Sequence, residues 1–143
     1  MKKMKIGEKE YTFEFTIEAS LFNECTEKLT TFITNIDEAK NEQDLKQLIS
    51  SMSDIPQTAL TMFYAGLLEH HGEDGDGTVL TKKDAKRLIK QYFIENKDTE
   101  NADFYSILTE MMECMNDDGF FEKIGLVKMS KEAQKVQENQ KNQ

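Results

Sequence analysis

The spacing of apolar residues changes at Thr16, and this change constrains the fold more than any other feature of the sequence. Before Thr16 the apolar residues alternate with polar ones: Met4, Ile6, Tyr11, Phe13 and Phe15. A period of two is typical of half-buried β-strands, and the short gap that contains Gly7 indicates a hairpin over about residues 4–15. From Ile17 onwards the apolar residues recur at steps of three and four, which predicts helices, the first with Thr16 as its N-cap.

The rest of the chain carries this helical pattern in about five segments. They are predicted at about 17–35, at 45–52, from a cap at Ser53 or Asp54 to about 68, at 81–95 and at about 101–115, with a last apolar cluster at 120–127. Pro56 suits the first turn of the third segment, and Thr81 with Asp84 predicts a capping box. Gly66, inside the most apolar segment, predicts the close approach of another element. The sequence therefore predicts a mainly α fold of the α+β type, in which an N-terminal β-hairpin precedes a bundle of about five helices.

The length of 143 residues fits one domain, which we place at residues 1–129. Residues 130–143 form a polar tail whose only apolar residues are Ala133 and Val136. Such a segment buries too little apolar surface to offset the entropy of ordering the chain. We predict that the tail is disordered or a frayed helix.

The chain is acidic, with a net charge of -9. Residues 1–10 carry +2 and residues 130–143 carry +1, so residues 11–129 carry -12. Phosphate groups repel such a protein, which argues against nucleic acid and anionic membrane surfaces as partners. No apolar run reaches the roughly 18 to 20 residues of a membrane span. Cys25 and Cys114 lack a CxxC spacing and are predicted to be free thiols in a reducing compartment.

No motif for catalysis or cofactor binding occurs in the sequence, so we predict a protein that is not an enzyme and needs no cofactor or metal. The acidic loop 72–77 matches a calcium-binding loop only in part. Aligning Gly77 with the invariant glycine of such a loop places Lys83 where a bidentate glutamate is required. His70 and His71 are adjacent and point in different directions on a helix, so we interpret them as solvated residues at a helix end.

Two features are candidates for partner binding. A basic stripe runs along the 81–95 helix opposite its apolar face: Lys82, Lys83, Lys86, Arg87 and Lys90. It is either a solvated helix face or a contact for an acidic partner, such as a second copy of this acidic protein. Methionines are concentrated near the end of the chain: Met111, Met112, Met115 and Met129. They either fill the core or form a pliable apolar groove for partner helices.

Four segments follow one another in an order that is typical of a known family. They are residues 4–15 (MKIGEKEYTFEF), 59–67 (ALTMFYAGL), 81–84 (TKKD) and 103–108 (DFYSIL). This order resembles the tail assembly chaperones of bacteriophages with long, non-contractile tails. The resemblance covers about residues 4–127. The acidic loop 72–77 and the insert 37–44 differ from the family's pattern.

The resemblance implies a non-enzymatic assembly factor in the cytoplasm of a bacterial host. Such chaperones bind the long helical tape measure protein, keep it soluble, help recruit tail tube proteins, and are absent from the mature virion. The predicted partner-binding residues are Met111, Met112, Met115, Lys82, Lys86 and Lys90. Two alternatives stay open: an acidic regulator that mimics nucleic acid and binds a DNA-binding protein, and a minor structural component of the tail.

Overall fold

The computed structural model describes residues 1–29 and 54–141. Its elements, in chain order, are β1 (Lys2–Ile6), β2 (Lys9–Phe13), α1 (Ile17–Leu21), α2 (helical over 23–29), α3 (Ile55–His71), α4 (Lys82–Glu95), α5 (Phe104–Asp117), α6 (Phe120–Lys123) and α7 (Leu126–Lys141). The predicted fold class is confirmed, because an N-terminal antiparallel hairpin precedes a set of helices. The predicted helix at 45–52, the insert 37–44 and the end of the first predicted helix lie outside the described residues.

The hairpin pairs β1 with β2 in an antiparallel register that places Met4 opposite Tyr11. Gly7 lies in the turn with a φ of 68°, a left-handed conformation that glycine adopts without strain. The turn is attached to α4, because the backbone N–H of Gly7 donates to Oε1 of Glu95 at 2.6 Å. One face of the hairpin contributes buried apolar side chains to the core: Met4, Ile6 and Phe13.

Helix α3 is the central element and packs against β2, α1, α4 and α5. Asp54 occupies its N-cap position and Pro56 lies in its first turn, as predicted, where the missing N–H of proline removes no helical hydrogen bond. Its buried residues are Thr58, Ala59, Thr61, Met62, Phe63, Ala65, Gly66, Leu67 and His71. Since these residues lie on more than one side of the helix, α3 is enclosed by its neighbours, whereas a surface helix buries a single stripe.

The chain that leaves β2 crosses α3 at Gly66. The backbone N–H of Glu14 donates to the carbonyl oxygen of Gly66 at 2.9 Å. A Cβ atom at position 66 would lie 2.9 Å from Cζ of Phe15 and 3.1 Å from Cδ1 of Phe13. Both rings are fully buried, so glycine is the residue that permits this approach. The predicted close contact at Gly66 is confirmed.

Two side chains hold the same stretch of backbone on either side of this crossing. The N–H of Thr12 donates to Nε2 of His71 at 2.9 Å, and the N–H of Phe15 donates to Oδ2 of Asp118 at 2.9 Å. Asp118 is the C-cap residue of α5. Side chains from α3 and α5 therefore satisfy backbone donors that an edge strand would otherwise leave open to other chains.

The first predicted helix is divided at Phe22. Helix α1 ends at Leu21, Phe22 is extended with a φ of -85° and a ψ of 97°, and the chain is helical again over 23–29. The ring of Phe22 packs edge-on against Tyr64 of α3, with ring centroids 5.3 Å apart. The prediction of one continuous helix is wrong in the described part of the chain, and this tertiary contact accounts for the turn. Thr16 lies at the N-cap position, but its hydroxyl bonds to Glu69 of α3.

The helices that follow begin at identifiable caps. At the start of α4, Thr81 Oγ1 accepts from the N–H of Asp84 at 3.2 Å, and Oδ2 of Asp84 accepts from the N–H of Thr81 at 3.1 Å. This is the predicted capping box, with aspartate in the place of the usual glutamate. At the start of α5, Oδ1 of Asp103 accepts from the N–H of Ser106 at 2.7 Å.

The tail that we predicted to be disordered or a frayed helix is helical as far as Lys141, as part of α7. Composition explains the helix, because residues 126–141 contain no Gly or Pro and are rich in Lys, Gln and Glu, which have good helix propensity. Residues 131–140 are all exposed. This part of α7 is therefore helical without adding to the core.

We expect Gly66→Ala to lower the free energy of unfolding. The added methyl group must displace the buried rings of Phe13 and Phe15, and such overpacking costs about 1–3 kcal/mol. Alanine also improves helix propensity by up to about 1 kcal/mol, so we expect a net loss of about 1 kcal/mol, measured by urea denaturation.

Phe15→Leu is the matched background for this test, because it shortens the ring that lies closest to Gly66. In that background Gly66→Ala should cost less than in the wild type, since the two changes share one contact. A Gly66→Ala variant that is more stable than the wild type would contradict the close packing described above.

Candidate interaction surfaces

The methionines of α5 lie in the core. Met111 and Met115 are fully buried, and Met112 is partly buried against the same core. A groove for a partner helix would need these side chains at the surface, so their burial supports the core-filling interpretation. Met129, by contrast, lies on α7 and is 64% exposed.

The basic stripe on α4 contains one lysine that forms an ion pair with another helix and four cations that are exposed. The ammonium of Lys82 pairs with Glu24 of α2, and this hydrogen bond holds the pKa of Glu24 below its ordinary value. Lys82 therefore joins α4 to α2. The remaining cations are exposed and lie at i, i+3, i+4 and i+7: Lys83, Lys86, Arg87 and Lys90. We call these four residues the cationic face.

The cationic face has few neutralising neighbours. In the part of the chain that the structure describes, its one ion pair joins Nη1 of Arg87 to Oδ1 of Asp84 at 3.8 Å, which is at the outer limit for such a pair. Ile94, which is 65% exposed, lies one turn beyond Lys90 on the same side of α4. The surface is thus four cations followed by one aliphatic side chain.

Helix α7 carries a second candidate surface. Leu126, Met129, Ala133 and Val136 follow one another at steps of three, four and three, which places them along one side of the helix. We call them the apolar line. Met129 and Val136 are 64% and 55% exposed. The apolar line was not predicted from the sequence, because the tail was separated at residue 130 from Leu126 and Met129.

The two adjacent histidines have structural roles at the end of α3. His71 is buried, and its Nε2 accepts from the N–H of Thr12, so its Nδ1 carries the proton and donates to Oδ2 of Asp76 at 2.9 Å. Nε2 of His70 lies 2.5 Å from Oε2 of Glu14. Our interpretation of both residues as solvated is wrong for His71, because β2 covers this end of α3 and buries the ring. The strand is distant in sequence, so the local pattern around residue 71 does not show this contact.

Asp76 organises the acidic loop 72–77. Its Oδ2 also accepts from the ammonium of Lys9 at 2.8 Å, and its Oδ1 accepts from the N–H and the hydroxyl of Thr78 at 3.0 and 2.6 Å. The hydrogen bonds from Lys9 and then Thr78 hold the pKa of Asp76 well below its ordinary value. This carboxylate therefore joins the loop to β2 and to the end of α3.

Both cysteines are free and buried. Burial, with the nearby charge of Glu24, raises the pKa of Cys25 to about 12. Burial and the charge of Asp118 raise the pKa of Cys114 to about 11. The thiolate forms are disfavoured at neutral pH, so neither side chain is placed to act as a nucleophile. Cys25 lies in the core, where its Sγ is 3.5 Å from Sδ of Met62.

Across residues 1–29 and 54–141, no group of three or more His, Cys, Asp and Glu side chains is arranged to hold a metal ion. None of the helices described above combines the length and apolar character needed to cross a membrane. Comparison of the chain with protein-family models, curated proteins and solved structures found no match.

We expect Met115→Ala to destabilise the protein by about 2–5 kcal/mol, because truncating a fully buried methionine leaves a cavity. Met129→Ala is the matched control on the exposed side of α7, and it should change stability by no more than about 0.5 kcal/mol. Urea denaturation of both variants measures the difference. Equal effects of the two substitutions would contradict the core position of Met115.

We expect Asp76→Asn to lower the free energy of unfolding at pH 7 by about 1 kcal/mol. Hydrogen bonds to a charged group contribute about 1.5–3 kcal/mol, and solvent screening reduces this figure because the Asp76 side chain is 40% exposed. The folded-state pKa lies below the ordinary 3.8, so the contribution is complete above that pH and is lost as the pH falls toward the folded-state pKa.

The difference between wild type and Asp76→Asn should therefore shrink as the pH is lowered from about 6 to about 3, measured by urea denaturation at each pH. Glu73→Gln, in the same exposed loop, is the control and should change stability by no more than about 0.5 kcal/mol at pH 7. A deficit in Asp76→Asn that stays constant down to the lowest pH would contradict the role of the carboxylate charge.

Proposed function

We propose that this chain is a tail assembly chaperone of a bacteriophage with a long, non-contractile tail. In this proposal it binds the tape measure protein in the cytoplasm of the bacterial host, keeps that protein soluble, and helps recruit tail tube proteins. It then leaves before the virion is complete. The observation that carries the proposal is the apolar line of α7, where Met129 and Val136 lie largely exposed on one helix.

An apolar line on an exposed helix is suited to contact with another helix. Steps of three, four and three are the spacing with which one helix presents side chains to a partner helix. Fully burying one such side chain contributes about 1.5–3 kcal/mol relative to leaving it exposed. A long helical protein with apolar stretches would offer the complementary surface, and covering that surface would keep it from aggregating.

Helix α1 offers a smaller apolar surface of the same kind. Ile17 and Leu21 are exposed and lie one turn apart on the same side of the helix. Two separate apolar surfaces would let one chaperone contact more than one helix of its partner. The net charge of -9 would keep such a complex soluble, since like charges oppose association between complexes.

The distribution of charge favours the chaperone over a nucleic-acid mimic. A mimic needs a continuous surface of carboxylates in place of a phosphate backbone. Here the exposed side of α4 carries Lys83, Lys86, Arg87 and Lys90, which would repel the DNA-binding surface of the target. The third hypothesis, a minor structural component of the tail, is distinguished by looking for the protein in purified particles.

Co-expression with the tape measure protein of the same genome tests the proposal. We expect the soluble fraction of the tape measure protein to rise, and the two proteins to elute together in size-exclusion chromatography. Met129→Gln with Val136→Gln should reduce the soluble fraction, because this change removes apolar contact area without altering charge.

Lys131→Gln with Glu138→Gln is the matched control. It has the same spacing on α7, leaves the net charge unchanged and replaces exposed residues on the opposite side of the helix. This variant should keep the tape measure protein soluble as the wild type does. If the wild-type protein forms no soluble complex with the tape measure protein, the proposed function is wrong.

A further inference from the structure

The cationic face of α4 lies next to carboxylates that are already engaged elsewhere. Oδ2 of Asp84 accepts from the N–H groups of Leu80 and Thr81, each at 3.1 Å. Oε1 of Glu95 accepts from Gly7 and from Nε2 of Gln91, at 2.6 and 2.8 Å. The acids of α4 therefore serve its cap and its contact with the hairpin. Among residues 1–29 and 54–141, the ion pair of Arg87 with Asp84 is the one that the four cations make.

This arrangement is unfavourable for an isolated helix. Lys83 and Arg87 are four positions apart, as are Lys86 and Lys90, and like charges at this spacing repel one another. Lys83 also lies in the first turn, where the helix dipole disfavours positive charge. Charges of alternating sign along an exposed helix face would avoid these repulsions. An anionic partner would remove them.

We infer that the cationic face is the docking surface for an acidic amphipathic α-helix. The face extends from Lys83 to Ile94, or about 17 Å of helix. Glutamates at i, i+3, i+4 and i+7 of a partner helix can face the four cations, and an aliphatic residue one turn further can contact Ile94, which is exposed. The identification of the partner helix as a segment of the tape measure protein rests on the proposed function, whereas the surface and its chemistry do not.

The charge of the rest of the protein favours a short helix over an extended polyanion. Residues 11–129 carry -12 in total, and this count includes the four positive charges of the face. Duplex nucleic acid or an anionic bilayer would extend beyond the face and meet the repulsion of the surrounding acids. A single helix of matching length would contact the face alone.

Binding of a synthetic peptide tests this inference directly. The probe is a fluorescein-labelled helical peptide of about 18 residues, roughly 27 Å long, with glutamates at i, i+3, i+4 and i+7 and a leucine one turn beyond. Fluorescence anisotropy with the full chain gives Kd. We expect binding that weakens as NaCl is raised from about 50 to about 500 mM, and no binding of the same peptide with glutamine in place of glutamate.

Two triple variants with the same change in net charge separate the cationic face from general electrostatics. Lys86→Glu with Arg87→Glu and Lys90→Glu should raise Kd by about tenfold or more. The control, Lys128→Glu with Lys131→Glu and Lys135→Glu, reverses three exposed cations of α7 and should leave Kd within about twofold. The milder change of the same three α4 cations to Gln should give an intermediate loss, and far-UV circular dichroism verifies that each variant is folded.

Three results would overturn the inference: no binding of the acidic peptide to the wild type, equal losses in both triple variants, or tighter binding of duplex DNA or anionic vesicles through the same face. Co-expression with the tape measure protein distinguishes a failure of the inference from a failure of the proposed function. If the α4 triple variant keeps the tape measure protein as soluble as the wild type does, the tape measure protein is not the partner of the cationic face, and the chaperone function stands. If the tape measure protein never binds while the peptide still requires the face, the proposed function fails and the docking surface stands.

Discussion

The structure depends on the place where the chain leaving β2 crosses α3 at Gly66. The backbone N–H of Glu14 donates to the carbonyl oxygen of Gly66 at 2.9 Å. This hydrogen bond fixes the position along α3 at which the chain crosses the helix. Phe13 then packs against Phe63 of α3, with ring centroids 4.8 Å apart. Phe15 packs against Phe120 of α6 at 5.8 Å. One crossing thus brings the N-terminal hairpin, the central helix and the C-terminal helices into a single core, and a methyl group added at position 66 would have to displace the two rings that meet there.

Features encoded by neighbouring residues could be predicted from the sequence, and features that depend on distant residues could not. The hairpin, the capping box at Thr81 and the position of Pro56 follow from local spacing and local hydrogen bonding. The interruption at Phe22 follows from its contact with Tyr64, which no periodicity records. His71 is likewise buried where its Nε2 accepts from the N–H of Thr12, a residue of β2 that is distant in sequence. In each case a tertiary contact overrides the local pattern.

The candidate surfaces were predicted in part for the same reason. Spacing shows which side chains share a helix face, but it does not show which face another element covers. Met111 and Met115 share the buried face of α5. Lys82 forms an ion pair with Glu24 of α2, so it does not belong to the exposed cationic face. The apolar line of α7 could have been found from sequence, since its steps of three and four are visible once residues 126–136 are read as one helix.

The side chains that hold the fold together and those left at the surface are chemically different, and the difference bears on binding. Helices α3 and α5 bury their large apolar side chains in the core, whereas α7 keeps Met129 and Val136 exposed and α4 keeps its four cations at the surface. Apolar contact contributes affinity with little directional preference, because it scales with buried area. Charge pairs contribute less affinity, but they fix register and reject wrong partners. A partner helix that engaged both surfaces would be held by α7 and aligned by α4, so loss of the cations should impair selectivity more than it impairs binding of apolar helices in general.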